Sequence, residues 1–407
     1  MTFDELKREL FARSNFGMKL GLDRMREALR RLGDPHLAVP TLHVAGTNGK
    51  GSTCAFTESA LRAGGLKTGL YTSPHLVHFC ERIRIGFQPI EEARACALLE
   101  RIGPLGDLTF FEVVTLMAFL AFAEERVDVA VIEVGLGGRL DATNVVQPLA
   151  CAITPLGLEH TQYLGPTLTD VAREKAGILK PGIPAVSAGQ PLEAARVLGD
   201  RVLRPGRDYV FESRDDRPFC YQGPRWRLRP RTLGLGGHHQ RANAALAAAL
   251  LECTELVTAA DVERGLENAR WPGRLEAVAE RPLVLLDGAH NPHAMRALVR
   301  SLRGRKLHLV FAALQDKDAG AMLAALAPVA ASVHYCALDT PRGRAPEELA
   351  ALVPGSISPD PLAALESARK AAGSQGEVLV CGSLYLVGEL RAALRGQAGE
   401  RMPSERL

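Results

Sequence analysis

Short apolar runs alternate with stretches of helical periodicity along almost the whole chain. The run TLHVAGT (41–47) feeds a Gly-rich turn, and a helical pattern follows from about 51 to 63. Strand-like runs recur at KTGLYTS (67–73), DVAVIEVG (128–135), LACAITP (149–155) and PAVSAG (184–189); helical patterns occupy 110–125 and 170–179. Alternation of this kind predicts parallel α/β sheets. Between 204 and 236 the pattern changes to short Arg- and Pro-rich segments that read as small antiparallel strands, and helical stretches return at 241–253 and 259–269. Pro and Gly in WPGR (271–274) break any preceding helix and mark a boundary. A second strand–helix alternation then runs through PLVLLDGAHNP, KLHLVFAAL, ASVHYCAL and EVLVCGSLYLV. The expected division is 1–272 and 273–407, the second unit being the smaller.

A length of 407 residues agrees with two domains. The net charge is +3 and the basic residues are scattered, which argues against a nucleic-acid track and for a small substrate. The 8 cysteines form no C-x-x-C pair and mostly lie within apolar runs, a pattern of buried reduced thiols. No stretch approaches the ~20 apolar residues of a membrane helix, and the start MTFDELKREL has no apolar core. The expectation is a soluble, cytoplasmic monomer that binds neither membrane nor nucleic acid.

The turn GTNGKGST (46–53) has the composition of a phosphate loop, yet it fails the common G-x-x-x-x-G-K-[ST] pattern twice. Val44 stands where the first Gly belongs, and Gly51 separates Lys50 from Ser52 and Thr53. A strand running into such a turn and then a helix surrounds an anion with backbone N–H groups and the positive end of a helix dipole. Lys50 adds a charge for the outer phosphates. Ser73 should emerge at the same sheet edge, as a turn cap or a ligand. Glu133 ends an apolar strand where a carboxylate is costly; it reads either as a Mg²⁺ ligand beside a triphosphate or as a hydrated residue just outside the sheet. Gly135, Gly137 and Gly138 suggest a loop packed on a ligand, with Asp141 and Asn144 for polar contacts. His160, Glu174 and Lys175 read as ordinary residues on their own. Asp287, after the strand PLVLL, is either a helix cap or a ligand for ribose or phosphate, and Arg274 could reach a triphosphate across the boundary.

Taken in order, KLGLDRM, HVAGTNGKGST, YTSPHL, ERIRI, FFEVVT, EVGLGGRLDATN, EKAGILKPG, HHQRANAALAA, WPGRLE, DGAHNP and VCGSLYLVGELR resemble folylpolyglutamate synthase and its bifunctional relative dihydrofolate synthase, over about residues 18–395. This family is similar to the Mur ligases, whose phosphate loops are of the Gly-Thr-x-Gly-Lys type, and Gly51 after Lys50 favours the folate branch. The resemblance implies a Mur-ligase-like ATP-binding domain with a mainly parallel sheet and a Rossmann-like C-terminal domain. It implies ATP contacts at Thr47, Asn48, Gly49, Lys50, Gly51 and Ser52, with Asn243 near the adenine and Arg274, Asp287 and His290 from the second domain. It implies Mg²⁺ held by Ser73, Glu133 and His160, and a carbamylated Lys175. The pterin-bearing substrate would lie near SPHLVHF, TFFE and LDAT, with Phe111, Glu112, Leu140, Asp141 and Ala142 as contacts. Glu159 departs from the Asp that many relatives carry before the metal-binding His.

The implied reaction adds L-glutamate to reduced folates, and to 7,8-dihydropteroate in a bifunctional enzyme, using ATP to make an acyl phosphate. Lys50, Glu133, His160 and Lys175 would carry the catalysis. A monofunctional folylpolyglutamate synthase and another Mur-type ligase are the alternatives, although no N-terminal region suited to a uridine nucleotide precedes the phosphate loop. A nucleotide-binding switch would need no second domain bearing DGAHNP.

Overall fold

The core of the first domain is a strand stack in which every side chain is buried. In the computed structural model, which describes residues 1–14 and 21–396, strands β1 (Thr41–Ala45) and β5 (Val129–Glu133) are buried at all positions. That follows from helices covering both faces of a parallel sheet, which leaves no strand position facing water. Strands β2 (Thr68–Tyr71), β6 (Ala150–Ile153) and β7 (Ala185–Ser187) complete the parallel part; β3 (Ile83–Ile85) and β4 (Gln88–Pro89) add an antiparallel edge, giving the order β4-β3-β2-β5-β1-β6-β7. The chain reverses direction across the sheet on either side of β1, so the carboxyl ends of β1, β2, β5 and β6 surround one crevice.

The phosphate-loop helix Lys50–Ala63 covers one face. Against it pack the Ala-rich helix His238–Glu252 and the helix Ala259–Asn268. The Arg-rich segment forms a three-stranded antiparallel sheet of β8 (Val210–Phe211), β9 (Tyr221–Gln222) and β10 (Arg227–Leu228), as its composition predicts.

The second sheet has β11 (Glu276–Glu280), β12 (Leu283–Leu286), β13 (Leu307–Phe311), β14 (Ala330–Tyr335), β15 (Ser356–Ile357) and β16 (Glu377–Cys381) in the order β11-β12-β16-β13-β14-β15. All neighbours are parallel except β11 and β12. β11 escapes the apolar-run criterion because EAVAE is a half-exposed edge strand. The helix expected to run to Leu179 ends at Ala176, and a short helix Thr161–Leu164 precedes it. Met18, Lys19 and Leu20, the start of the stretch on which the family resemblance rests, lie outside the described residues.

Leu76 and Val77, from the loop after β2, are buried within the core of the second sheet, beside Val284, Leu286, Leu386 and Val387. This apolar plug fixes how the carboxyl edges of the two sheets face one another. Six cysteines are buried, Cys253 is half-buried and Cys220 is exposed; all are free thiols. Among the described residues no helix is long and apolar enough to cross a membrane.

Candidate active site

A cavity of about 430 Å³ lies where the two carboxyl edges meet. The turn after β1 forms its floor. The N–H groups of Thr47 and Asn48 donate to Pro155 O, 3.2 and 3.3 Å away, and fold the turn back on the loop after β6. Thr53 N–H is bonded within the helix, to Gly49 O at 2.9 Å. The amides of Lys50, Gly51 and Ser52 therefore point out of the helix end, as an anion site requires.

Lys50 Nζ lies 3.9 Å from Glu133 Oε1 and 3.5 Å from Thr47 O. Glu133 is 4% exposed, and Ser73 N–H donates to its Oε2 at 3.3 Å. Burial pushes its carboxyl up to about 7, against the pull of Lys50. A carboxylate this deep, with Lys50 at 3.9 Å and weaker pulls from Arg274 and Arg82, is incompletely compensated, and a divalent ion would supply the missing charge. His160 projects from the loop after β6 with a left-handed backbone, φ +51°. Burial lowers it to about 4, so it is neutral and able to ligate. With a Ser hydroxyl, one carboxylate and one imidazole, the donor set fits Mg²⁺ completed by phosphate oxygens and water. Among the described residues no group of three His, Cys, Asp or Glu forms a closed metal cage.

Lys175 lies beneath the phosphate turn, 4% exposed, with Nζ donating to Gly46 O at 2.8 Å. Burial, then repulsion from Lys50, lowers its ammonium to about 7. Much of it is a neutral amine at physiological pH, the form that reacts with CO₂.

At the other end of the cavity the Phe111 ring covers Gly135, where a Cβ would sit 2.4 Å from Phe111 Cζ. Glu112, Leu140, Asp141 and Ala142 line the same end. Glu112 is already engaged: it closes a capping box with Thr109 and pairs with Arg24 at 2.9 Å. Asp141 accepts from Leu136 N and Thr143 N, both 2.9 Å, so its carboxylate also folds the loop it belongs to. Of SPHLVHF only Ser73 and Pro74 reach the cavity, since Leu76 and Val77 are committed to the second domain.

Arg274 and His290 line the wall contributed by the second domain. His290 Nδ1 donates to Gly288 O at 2.7 Å, and Nε2 stands 3.9 Å from Glu159 Oε1. Three residues named from the sequence lie behind the surface. Ser52 accepts from Gln240 Nε2. Asn243 donates to Gln240 Oε1 and packs against Gly49, where a Cβ would be 2.5 Å from Asn243 Oδ1. Asp287 accepts from Leu275 N and Ala289 N, tying the WPGR boundary to the strand end; the helix cap is Asn291 instead.

Asn48 of the phosphate turn meets the second domain directly. Asn291 Nδ2 donates to Asn48 Oδ1 at 3.0 Å, and Asn48 Nδ2 donates to His293 Nδ1 at 2.8 Å. Glu159 joins this junction through Asn291 Nδ2 at 3.4 Å.

Sequence reasoning passed over several lining residues. Arg82 is 1% exposed, its Nε bonded to His75 Nδ1 at 2.8 Å and its guanidinium over Phe110. The clue was a basic residue inside the apolar alternation of ERIRI. Asp316, Lys317 and Arg342 follow β13 and β14 at the edge where ligands are expected, and Asp316 pairs with both cations, at 3.2 and 3.3 Å. The same strand-end rule that singled out Asp287 applies to QDKD.

Comparison with known proteins agrees with this geometry. Residues 44–183 match the Mur ligase middle domain, and 273–384 match the Mur ligase glutamate ligase domain. The chain is 36% identical to the dihydrofolate synthase/folylpolyglutamate synthase of Bacillus subtilis, the match covering 97% of this chain and 99% of the relative. It is similar to a Mycobacterium tuberculosis folylpolyglutamate synthase complexed with ADP (TM-score 0.89, 31% identity, 98% and 99% of the two chains). It is equally similar to Escherichia coli FolC in complex with DHPP and ADP (TM-score 0.89, 34% identity, 96% and 98%). The chain belongs to the folylpolyglutamate synthase/dihydrofolate synthase family of the Mur ligase superfamily.

Proposed function

We propose that this protein is an ATP-dependent, ADP-forming ligase that joins L-glutamate to reduced folates and to 7,8-dihydropteroate. The observation that carries the reading is the placement of a phosphate turn with Lys50 and Glu133 opposite a second-domain wall bearing Arg274, His290, Lys317 and Arg342, with an aromatic end at Phe111. Two anionic substrates and ATP must meet in one enclosed place, which is a problem of positioning and charge neutralisation.

In this reading the pterin-bearing substrate lies at the Phe111 end with its carboxylate directed toward Lys50. The outward amides of Lys50–Ser52 and the Lys50 ammonium hold the γ-phosphoryl group as its charge redistributes. Ser73, Glu133 and His160 would hold Mg²⁺, which neutralises phosphate charge and orients the triphosphate. The substrate carboxylate attacks the γ-phosphorus and ADP departs, leaving an acyl phosphate. Lys317 and Arg342 hold the carboxylates of the incoming L-glutamate, and Asp316 faces its amino group. The free amine attacks the acyl carbon, loses its proton, and phosphate leaves. Lys175 as its carbamate would add an anion beneath the turn.

We assign residues 1–272 to the nucleotide- and folate-binding domain, 273–407 to the glutamate-ligase domain, and the protein to the cytoplasm. The wild-type protein should be incubated with MgATP and L-glutamate plus either 7,8-dihydropteroate or a reduced folate, and the products weighed by mass spectrometry. A glutamyl increment in both reactions supports the reading. An increment with folate alone restricts it to tail extension, and none in either, beside an active control enzyme, refutes it.

A further inference from the structure

His43 is a polar residue at the centre of an apolar sheet. It lies on β1 opposite Ile132 of β5 and Cys151 of β6, fully buried. An imidazole there is costly unless its hydrogen bonds accomplish something. Its Nε2 lies 2.9 Å from Thr143 Oγ1, and its Nδ1 has no protein partner. Thr143, also fully buried, donates its hydroxyl proton to Asp141 Oδ1. A hydroxyl has one proton and the carboxylate takes it, so Nε2 must be the donor to Thr143. This fixes the imidazole as the neutral Nε2–H tautomer, and burial, which lowers its pKa to about 3, keeps it neutral.

The relay ends on the group that shapes one end of the cavity. Asp141 gathers Leu136 N, Thr143 N and Thr143 Oγ1, closing residues 136–141 into a loop whose members all line the cavity. That carboxylate is buried and forms no ion pair among the described residues, so its hydrogen bonds set its direction.

We propose that His43 is a positioning residue for the pterin-bearing substrate, acting through Thr143 to set the direction of the Asp141 carboxylate and thereby the shape of the loop against which the substrate rests. The inference rests on the folate reading above and extends it to a residue buried within the sheet, outside the cavity wall. It predicts that the fault introduced by losing the relay is confined to one substrate. The phosphate turn begins three residues after His43, but its contacts run to Pro155, Gly157 and Asn291 and use none of the relay.

The test is titration calorimetry of 7,8-dihydropteroate and, separately, of ADP with wild type, His43→Phe, Thr143→Val, the double variant and His43→Gln, with a thermal melt of each. His43→Phe and Thr143→Val should each weaken dihydropteroate binding roughly tenfold while ADP binding stays within about twofold. The double variant should be no worse than either single one, because both cut the same chain. His43→Gln, whose amide N–H can take the place of Nε2–H, should recover most of the affinity. Unchanged dihydropteroate binding in both single variants overturns the inference, as does a parallel loss of both ligands with a lowered melting temperature. A wild-type protein that binds ADP but not dihydropteroate overturns the folate reading itself, and this inference with it.

Discussion

Lys175→Met should make the protein more stable and inactive at once. In the folded chain the Lys175 ammonium is lowered from 10.5 to about 7 by burial. At about 1.4 kcal/mol per pH unit, that depression is a penalty of about 5 kcal/mol on the folded state when the group is charged. Methionine has a similar reach and no charge, but it abandons the bond to Gly46 O, which costs about 2 kcal/mol once a buried carbonyl is left without a donor. A net gain of about 3 kcal/mol remains below pH 7. With an unfolding entropy of ~2 cal/mol/K per residue over 407 residues, the melting temperature should rise by about 4 °C. The sign of the pH dependence is fixed. The unfolded chain holds a proton that the folded chain has released between about 7 and 10.5, so wild-type stability climbs with pH across that window and the advantage of the variant disappears. Melts of both proteins in carbonate-free buffer at about pH 6.5 and about pH 10, with ligase assays alongside, make the comparison. A variant less stable than wild type at the lower pH, or a difference that does not change with pH, refutes the reasoning; so does retained ligase activity.

Glu133 should release a proton when Mg²⁺ binds, because burial holds its carboxyl at about 7 and the ion needs the carboxylate. Mg²⁺ affinity should rise with pH up to about 7, calorimetric heats should depend on the buffer's ionisation enthalpy, and buffer-independent heats would exclude this; the metal-free protein should lose the same group's stabilisation as pH rises through about 7. Gly135→Ala places a methyl group into the Phe111 ring, 2.4 Å from Cζ, and should raise KM for the pterin substrate several-fold with KM for ATP unchanged. Asn291→Asp keeps the helix-capping acceptor for Ala294 N but loses the amide donor to Asn48 and sets a second carboxylate beside Glu159; kcat should fall at least tenfold with little change in melting temperature, and an unchanged kcat would show the junction to be idle.

The parallel architecture was legible because buried strands write themselves as predominantly apolar runs, as the central strands β1, β5, β13 and β16 do despite a histidine within β1 and another within β13. The phosphate turn, Ser73 and Glu133 were legible by one rule, that ligands gather beyond the carboxyl ends of parallel strands, whereas His160 stood out only through the family resemblance and Arg274 through its place at the WPGR boundary. What stayed hidden depends on pairs distant in sequence. Nothing local marks Leu76 and Val77 as a plug, since an apolar pair in a loop acquires its meaning only from the second sheet that receives it. Glu159 reads as a lengthened Asp until Asn291, 132 residues away, accounts for its reach. Lys175 reads as a surface helix lysine because its helix shows ordinary amphipathic spacing; only the phosphate turn overhead makes its face an interior one.

The oddity of the phosphate turn has the same kind of answer. In the common pattern a hydroxyl residue follows the lysine, whereas here Gly51 does. A Cβ at Gly51 would lie 3.0 Å from Trp271 Nε1 and 3.3 Å from Trp271 Cε2, so the indole of WPGR occupies the space that a side chain would need. Trp271 is held in turn by Phe87 and by the guanidinium of Arg84, 5.5 Å from its ring. The missing side chain in the turn and the aromatic residue at the domain boundary are therefore one feature. Two residues past that indole, Gly273 packs on Leu76, and Arg274 enters the cavity. The linker thus touches the phosphate turn and the apolar plug within three residues. A chain that placed threonine after Lys50 would have to move the indole, and with it the arginine that enters the cavity three residues later.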